Sequence, residues 1–211
     1  MADSKYCYPD SSVLINKLNI MDDEKLYDAE LKLALIRLLE LQNNPVKGKL
    51  DFTHLKAIHR YIFQDIYDWA GKIRTVDIGK GNLFCTVRFI DDYARSVFAK
   101  YFPSCNNAKD SRLGFIKTLA ENYGDLNALH PFREGNGRAQ REFARLVCLE
   151  CGYYLDWFGT SHNEMLAASK LSFDKGDSSG FLDIFSRILI PINEVDNNYG
   201  NEIEIVTAEE R

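Results

Sequence analysis

The chain has 211 residues, 45% of them hydrophobic and 12% aromatic, which is enough for one sizeable core and favours one domain over two. Its formal net charge of −5 argues against a general nucleic-acid-binding role, so we expect no direct binding to nucleic acid. No apolar run approaches the length of a membrane span, and the polar residues after Met1 lack the apolar centre of a signal peptide. Five cysteines, an odd number without an evident disulfide framework, favour a reducing, cytoplasmic setting.

Two amphipathic helices are predicted in the first third of the chain. Apolar residues recur at helical spacing over residues 23–42, and Asp51 is predicted to cap a second helix that runs towards Gly71. The predicted apolar face of the first helix comprises Leu26, Ala29, Leu33, Ile36, Leu39 and Leu41. His59 lies on the apolar pattern of the second helix. We interpret it as a hydrogen-bonded residue at the edge of the core, because no catalytic motif surrounds it.

Residues 73–90 break the helical rhythm and predict a short β-hairpin. The segment around its turn runs through Gly79, Lys80, Gly81, Asn82, Leu83, Phe84, Cys85 and Thr86. An isolated hairpin in a helical protein is either a structural flap or an edge with which another chain can pair. The residues alone leave both interpretations open.

Further helices are predicted from Asp91 to about Phe102, over 111–129, over 137–151, and near 161–172 and 179–190. Pro103 is predicted to begin a loop. The last twenty residues carry six acids against one arginine and few core residues, which is typical of a flexible tail or the start of a linker. We therefore expect one domain over residues 1–190 and an acidic tail over 191–211.

The stretch from His130 to Arg141 concentrates a histidine, an acid, two glycines, an asparagine and three arginines, beginning between two predicted helices. Asn136 is predicted to cap the second of these helices. Arg138 and Arg141 then lie on one face of its first turns, and Arg145 extends that face. A helix N-terminus carries a positive partial charge, so clustered arginines repel one another there unless an anion joins them.

Backbone N–H groups at Gly135, Asn136 and Gly137, together with the forked guanidinium groups, describe a site for a polyphosphate. If a nucleotide lies there, Glu134 can hold Mg²⁺ against the phosphates, and His130 can act as a general base towards an incoming hydroxyl. The alternative is an ordinary helix–loop–helix turn with an exposed charged face. Each residue alone favours that alternative, but their spacing together favours function.

The pattern His-Pro-Phe-x-x-Gly-Asn-Gly-Arg-x-x-Arg, from His130 to Arg141, resembles the signature of the Fic (filamentation induced by cAMP) family of protein adenylyltransferases. The stretch from Ile66 to Ile78 and the segment before His130 are also similar to small bacterial members. The resemblance covers roughly residues 6–190. It implies an all-α Fic core with a β-hairpin flap, and transfer of AMP from ATP to a Tyr, Thr or Ser hydroxyl of a target protein, with pyrophosphate leaving.

The resemblance also implies roles for individual residues. His130 would activate the target hydroxyl, Glu134 would bind Mg²⁺, and Arg138 and Arg141 would hold the β- and γ-phosphates. The amides from Gly135 to Gly137 would form an anion hole, with Asn136 contacting phosphate. The segment from Gly79 to Thr86 would be the flap that aligns the target backbone by strand addition.

One departure from the family concerns inhibition. Fic enzymes are commonly silenced by a Ser/Thr-x-x-x-Glu-Gly/Asn helix whose glutamate pairs with the second arginine, here Arg141. The spacing occurs once, at Thr160 and Glu164, where Met165 follows and the place in the chain is unusual. We therefore expect a small antitoxin to supply the glutamate in trans, which would make this chain the toxin half of a toxin–antitoxin pair.

Two classes of alternative stay open at this point. Another Fic-type reaction could transfer phosphate, UMP or phosphocholine, although the intact Gly135-Asn136-Gly137 argues against phosphate transfer. A non-catalytic nucleotide-binding interaction module is also conceivable, although it would not need His130. Secretion into a host cell is an alternative to the cytoplasmic setting that the sequence leaves open.

Overall fold

The computed structural model describes residues 5–80 and 82–194. The glycine at the hairpin turn, Gly81, and most of the predicted acidic tail, residues 195–211, lie outside the described residues. None of the described helices is both long and apolar enough to cross a bilayer.

The described part of the chain is mostly helical, with two short pairs of antiparallel strands. The helices are α1 (Asp23–Asn43), α2 (Phe52–Phe63), α3 (Ile90–Ala108), α4 (Arg112–Leu129), α5 (Asn136–Glu150), α6 (His162–Lys175) and α7 (Ser179–Ile188). The strands are β1 (Gly79–Lys80), paired with β2 (Asn82–Leu83), and β3 (Tyr153–Leu155), paired with β4 (Leu189–Pro191). The predicted fold class, helical with a small hairpin, is confirmed.

Side-chain caps explain where several helices begin. Asp22 accepts a hydrogen bond from the Lys25 amide at 2.9 Å, and Asp51 accepts one from the His54 amide at 2.8 Å, each satisfying a donor that the first helical turn leaves open. Ser161 and Glu164 form a reciprocal capping box at the start of α6. Gly176 ends α6 in the left-handed conformation, with φ of 67°.

The residues cluster into two compact units, and the first comprises Met1–Phe98 and Leu129–Phe143. Its centre includes Leu55, Ile58 and Ile62 of α2, all fully buried. Phe132, from the loop before α5, stacks on the ring of His59 with 3.8 Å between centroids. This unit therefore contains α1, α2, the β1–β2 hairpin and every residue of the motif from His130 to Arg141.

The second unit comprises Ala99–Ala128 and Ala144–Arg211. Tyr123 of α4 packs edge-on against Phe181 and Phe185 of α7, with centroids 4.8 and 5.5 Å apart. Arg112 donates to the carbonyls of Ser186 and Leu189, both at 2.9 Å, where α7 meets β4. This unit is a helical layer closed by the β3–β4 pair, which the sequence did not predict.

The predicted apolar face of α1 is correct at Leu26 and Leu41 and wrong in between. The buried residues of the helix are Leu26, Glu30, Ala34 and Leu41. Ile36 and Leu39, predicted to be in the core, are 52% and 58% exposed. A glutamate can occupy the buried row because its carboxylate has two hydrogen-bond partners, which are described with the site below.

The second helix is shorter than predicted, because the amides of Ile66 and Tyr67 both turn back to the carbonyl of Phe63 at 3.0 Å. The hairpin is also shorter: its strands pair only Gly79 with Leu83 and Lys80 with Asn82. Beyond these pairs, the Phe84 amide donates to the Ile78 carbonyl at 3.1 Å, and the carbonyls of Val76 and Cys85 accept from the side chain of Arg74.

The predicted loop at Pro103 is wrong, because α3 continues through this proline to Ala108. A proline inside a helix lacks the N–H that would bond one turn back. The side chains of Ser104 and Asn122 both donate to the carbonyl of Tyr101, at 3.1 and 3.4 Å, two residues before the proline. These side-chain bonds hold the backbone around the interruption.

Candidate active site

The motif begins where α4 ends, at a strained histidine. A residue before proline is excluded from the helical region, so α4 stops at Leu129. His130 adopts a positive φ of 43°, a conformation in which non-glycine residues are uncommon and usually held by their surroundings. The turn directs Phe132 into the core, where it is fully buried, and leaves His130 half-buried.

Arg74 connects this turn to the base of the hairpin through hydrogen bonds. It lies in the segment between α2 and β1 and is almost fully buried, and its backbone N–H donates to the Pro131 carbonyl at 2.9 Å. Its guanidinium donates to the His130 carbonyl at 2.9 Å and to the carbonyls of Val76 and Cys85. Burial lowers the pKa of Arg74, and the nearby Asp77 carboxylate opposes that shift. One side chain therefore fixes both the motif histidine and the start of the flap.

His59 supports the same loop from α2. Its Nδ1 accepts from the Gly71 amide at 2.9 Å, so the ring proton is on Nε2, which donates to the Glu134 carbonyl at 2.9 Å. Burial lowers the pKa of His59 to about 3, a shift only partly opposed by the bond to Glu134. The prediction that His59 is hydrogen-bonded agrees with these contacts, but its placement at the edge of the core is wrong, because the residue is fully buried. The residue that it holds is the motif acid, Glu134.

The side chain of Asn136 closes the loop through two hydrogen bonds to the backbone of Phe132. Its side-chain oxygen accepts from the Phe132 amide at 2.9 Å, and its side-chain nitrogen donates to the Phe132 carbonyl at 2.8 Å. The residue is the first of α5 and is buried. The prediction that its side chain caps α5 is therefore wrong, because the side chain closes the turn at Phe132. Its backbone N–H still lies in the first turn of α5.

Gly135 can only be glycine in this backbone. Its φ is 79°, and a Cβ at this position would lie 2.2 Å from the ring of Phe63. This close approach places the amides of Gly135, Asn136 and Gly137 at the start of a 15-residue helix. Such a helix end carries N–H donors that lack a carbonyl partner within the helix, and a positive partial charge, which suits a phosphate group. The Gly135 amide donates to a carboxylate here, that of Glu134.

Glu134 is the one motif carboxylate, and it is exposed. Its Oε1 accepts from the Gly135 amide at 2.8 Å and lies 3.5 Å from Nη2 of Arg138. Within the described residues, no three His, Cys, Asp or Glu side chains are grouped as a ready-made metal site. A single accessible carboxylate fits Mg²⁺ bound mostly through water and phosphate oxygens, the usual arrangement for this ion.

Arg138 lies between Glu134 and a second carboxylate that the sequence analysis missed. Its Nη2 donates to Oε1 of Glu30, on α1, at 2.5 Å. Glu30 is 7% exposed, and its other oxygen accepts from the hydroxyl of Tyr67. The clustered arginines were expected to need an external anion, but for Arg138 the protein supplies one itself. The available signal was an acid within the buried row Leu26, Glu30, Ala34, since a buried acid needs partners.

Arg141 differs from Arg138. Across residues 5–80 and 82–194, no side-chain hydrogen bond or ion pair is found for Arg141, and its Nη1 lies 3.4 Å from where a Cβ on Gly137 would be. Arg145, which the sequence places on the same face, is buried. Of the two motif arginines, one is thus held by the protein and the other has its donors available to a ligand.

The flap reaches the motif histidine through one aromatic ring. Phe84 stacks on the imidazole of His130, with 3.7 Å between centroids and planes 8° apart. The preceding strand pair is tight: a Cβ on Gly79 would lie 2.4 Å from the Asn82 carbonyl oxygen. Leu83 is 61% exposed, while Cys85 and Thr86 are half-buried. The structure therefore brings the predicted flap beside the predicted base.

Glu164, the one candidate for an internal inhibitory glutamate, has partners of its own. It accepts from the amide of Ser161 at 2.9 Å and from Nη2 of Arg187 at 2.6 Å, and lies 3.3 Å from the hydroxyl of Thr160. These contacts form the cap of α6 and a link to α7. They account for the Thr-x-x-x-Glu spacing as a helix cap.

Comparison with known proteins gives consistent results. The model of the Fic/DOC family matches residues 49–148. The Bartonella schoenbuchensis "Protein adenylyltransferase VbhT" is 39% identical over 169 residues, which are 80% of this chain and 35% of that protein. The chain thus spans about a third of VbhT. The Escherichia coli "Probable protein adenylyltransferase Fic" is 33% identical over 195 residues, covering 90% of this chain and 94% of that protein.

Two solved structures have the same fold as this chain. The N-terminal Fic domain of a Bartonella quintana cell filamentation protein, solved with bound ADP, superimposes with a TM-score of 0.84 at 26% identity. The match covers 90% of this chain and 97% of that one. The Bartonella tribocorum BepC protein, solved with bound AMPPNP, has the same fold with a TM-score of 0.83 at 24% identity over 89% of this chain and 97% of that one.

Proposed function

This chain belongs to the Fic/DOC family, and on that premise we propose that it is a protein adenylyltransferase, which transfers AMP from ATP to a Tyr, Thr or Ser hydroxyl of a target protein. The resemblance seen in the motif is confirmed by the family match and by relatives that carry this name. The observation that carries the proposal is the geometry of one loop. A half-buried histidine, a helix N-terminus and an arginine without a carboxylate partner in the described chain lie within twelve residues.

The residues divide the reaction among them. His130 accepts the proton of the target hydroxyl, which then attacks the α-phosphorus of ATP, and pyrophosphate leaves. The amides of Gly135, Asn136 and Gly137 stabilise the negative charge on the phosphates, while Arg138 and Arg141 bind the β- and γ-phosphates. Such transfer depends more on positioning and charge neutralisation than on covalent chemistry, which fits a loop fixed by Arg74 and His59.

Glu134 would hold Mg²⁺ when ATP is bound. The ion would neutralise charge on the phosphate chain. The fit rests on the exposed carboxylate beside the helix N-terminus. The bond from the Gly135 amide to Oε1 keeps that carboxylate directed towards the glycines.

Labelling with ATP tests this proposal. The purified chain is incubated with Mg²⁺, cell lysate and ATP labelled on the α-phosphate, in parallel with His130→Ala. We expect labelled lysate proteins with the wild type and at least about a hundredfold less label with His130→Ala, the usual scale of a lost general base. Labelling that persists in His130→Ala would refute the assignment of the base. Labelling absent from both would favour the alternative, a non-catalytic nucleotide-binding interaction module.

We further propose that inhibition comes in trans, from a small antitoxin whose glutamate binds Arg141. Two observations support this: Arg141 has no carboxylate partner among the described residues, and Glu164 is engaged by Ser161 and Arg187. This assigns the chain to the toxin half of a toxin–antitoxin pair, acting in the reducing cytoplasm that its five free cysteines favour.

The variant Glu164→Gly distinguishes inhibition by a separate antitoxin from inhibition by a glutamate of this chain. We expect this variant to label lysate proteins at the wild-type rate, while losing about 1 kcal/mol of stability with the α6 cap. A wild-type chain that is silent and becomes active on Glu164→Gly would overturn the antitoxin proposal.

A further inference from the structure

We propose that Glu30 is a positioning residue, which holds Nη2 of Arg138 so that the remaining donors of the guanidinium face the phosphates of ATP. The inference rests on the proposed ATP-dependent reaction and adds to it a residue outside the motif. Glu30 lies 108 positions before Arg138 in the chain, and the two meet at 2.5 Å.

The Glu30 carboxylate is held from two sides. Oε1 accepts from Nη2 of Arg138, and Oε2 accepts from the hydroxyl of Tyr67, which is 1% exposed. Burial, together with the neighbouring Glu30 charge, raises the pKa of Tyr67, so its hydroxyl stays protonated and continues to donate. With one donor on each oxygen and a place on the buried face of α1, the carboxylate cannot turn away to solvent.

Arg138 is held in turn by three groups on one side. Its guanidinium lies over the ring of Phe63, with 4.7 Å from Cζ to the centroid, and both Glu30 and Glu134 approach it at Nη2. A guanidinium has five N–H donors, and only Nη2 has acceptors among the described residues. The N–H of Nε and those of Nη1 therefore remain available to bind phosphate oxygens one bond at a time, since each bidentate fork of a guanidinium includes Nη2.

A fixed, neutralised arginine has a different role from a mobile one. Because the Glu30 charge stays beside Arg138, the pair contributes direction more than net charge to phosphate binding. Arg141, which has no such partner in the described chain, contributes the net positive charge. Glu30 is thus distinct from an inhibitory glutamate: it would assist ATP binding instead of blocking it.

Glu30→Gln tests the inference, because glutamine keeps the size but not the charge-assisted bond. We expect the Kd and KM for Mg²⁺–ATP to rise about tenfold, with the Kd for AMP unchanged within about twofold, since AMP lacks the β- and γ-phosphates. The matched control is Glu40→Gln on the same helix. Glu40 also accepts from an arginine and a tyrosine, Arg37 and Tyr61, away from the loop.

The other outcomes are equally decisive. ATP binding that is unchanged or tighter in Glu30→Gln would refute the positioning role. Parallel loss of ATP and AMP binding with a lowered Tm would show that Glu30 is merely structural. If Glu30→Gln fails to fold, Tyr67→Phe, with Tyr61→Phe as its control, decides by the same ATP-to-AMP comparison. A wild type that binds ATP but transfers no AMP would refute the proposed reaction alone, and one that binds no ATP would refute both.

Discussion

At the residue scale, the loop between α4 and α5 is a strained backbone held by buried side chains. His130 and Gly135 both have positive φ, and Arg74 and His59 bond to the carbonyls of His130 and Glu134. Strain at such positions persists only where the surroundings fix it. The loop should therefore be sensitive to changes that add volume at Gly135 or add a proton at His59.

Gly135→Ala should destabilise the protein by more than backbone conformation alone explains. The added Cβ would lie 2.2 Å from the Phe63 ring at a φ of 79°, so we expect a loss of about 3 kcal/mol. Gly152→Ala is the matched control, since Gly152 has a φ of 85° but nothing within 4 Å of the new atom, and it should cost about 1 kcal/mol. Urea unfolding compares them, and equal losses would contradict the close packing at Phe63.

The stability of the wild type should fall as the pH drops below about 6.5. His59 has a folded pKa of about 3 against an ordinary value of 6.5, so between these values the unfolded chain binds the extra proton. The loss should approach about 1.4 kcal/mol per pH unit in this window, and the stability should be fully present above it. Urea unfolding from pH 7 to 5 measures the slope for wild type and His59→Gln. Parallel slopes would show that His59 titrates normally in the folded protein.

How much of the site could be predicted depends on sequence distance. The motif residues are consecutive, so their spacing alone places a base, an acid, glycines and arginines together. Arg74, by contrast, reaches His130 across 56 positions, and Glu30 reaches Arg138 across 108. Only folding brings such pairs together, and a single sequence records no trace of the pairing beyond an acid in a buried row of α1.

At the element scale, the hairpin is the part that we propose aligns a target protein with the site. The β1–β2 pair is only two residues long on each strand, and Phe84, which follows it, lies on His130. A short pair with an exposed leucine suits the predicted role in aligning a target backbone by strand addition.

Leu83→Asp should lower transfer to target proteins about tenfold while leaving ATP binding unchanged. The side chain is 61% exposed, so a charge there costs little folding stability but would oppose an apolar contact with a bound target. Leu113→Asp is the control, because Leu113 is 60% exposed on α4. Lysate labelling and ATP titration measure the two effects. Equal loss in both variants, or loss of ATP binding, would contradict the docking role of the flap.

Element prediction succeeded where caps and periodicity agree, and failed where side chains override local rules. Asp51 marks the start of α2 as predicted. Pro103 does not end α3, and the side chains of Ser104 and Asn122 bond to the carbonyl of Tyr101 beside it. The hairpin is shorter than its apolar pattern indicated, since the guanidinium of Arg74 occupies carbonyls that a longer strand pair would use.

At the scale of the whole molecule, the entire motif, the hairpin and the Glu30 support belong to one compact unit. The family match and relatives such as the Escherichia coli protein, aligned over 90% of this chain, agree with a Fic-type transferase. The central claim is therefore the identity of the transferred group, which the loop geometry and the glycine amides favour as AMP.

The most direct test of that claim compares two labels on ATP. The purified chain is incubated with lysate and Mg²⁺, once with ATP labelled at the α-phosphate and once with ATP labelled at the γ-phosphate. AMP transfer predicts labelled protein from the α-label only, lost in His130→Ala, with mass spectrometry locating one AMP on a Tyr, Thr or Ser side chain. Protein labelled from the γ-phosphate would mean phosphate transfer and would contradict the account.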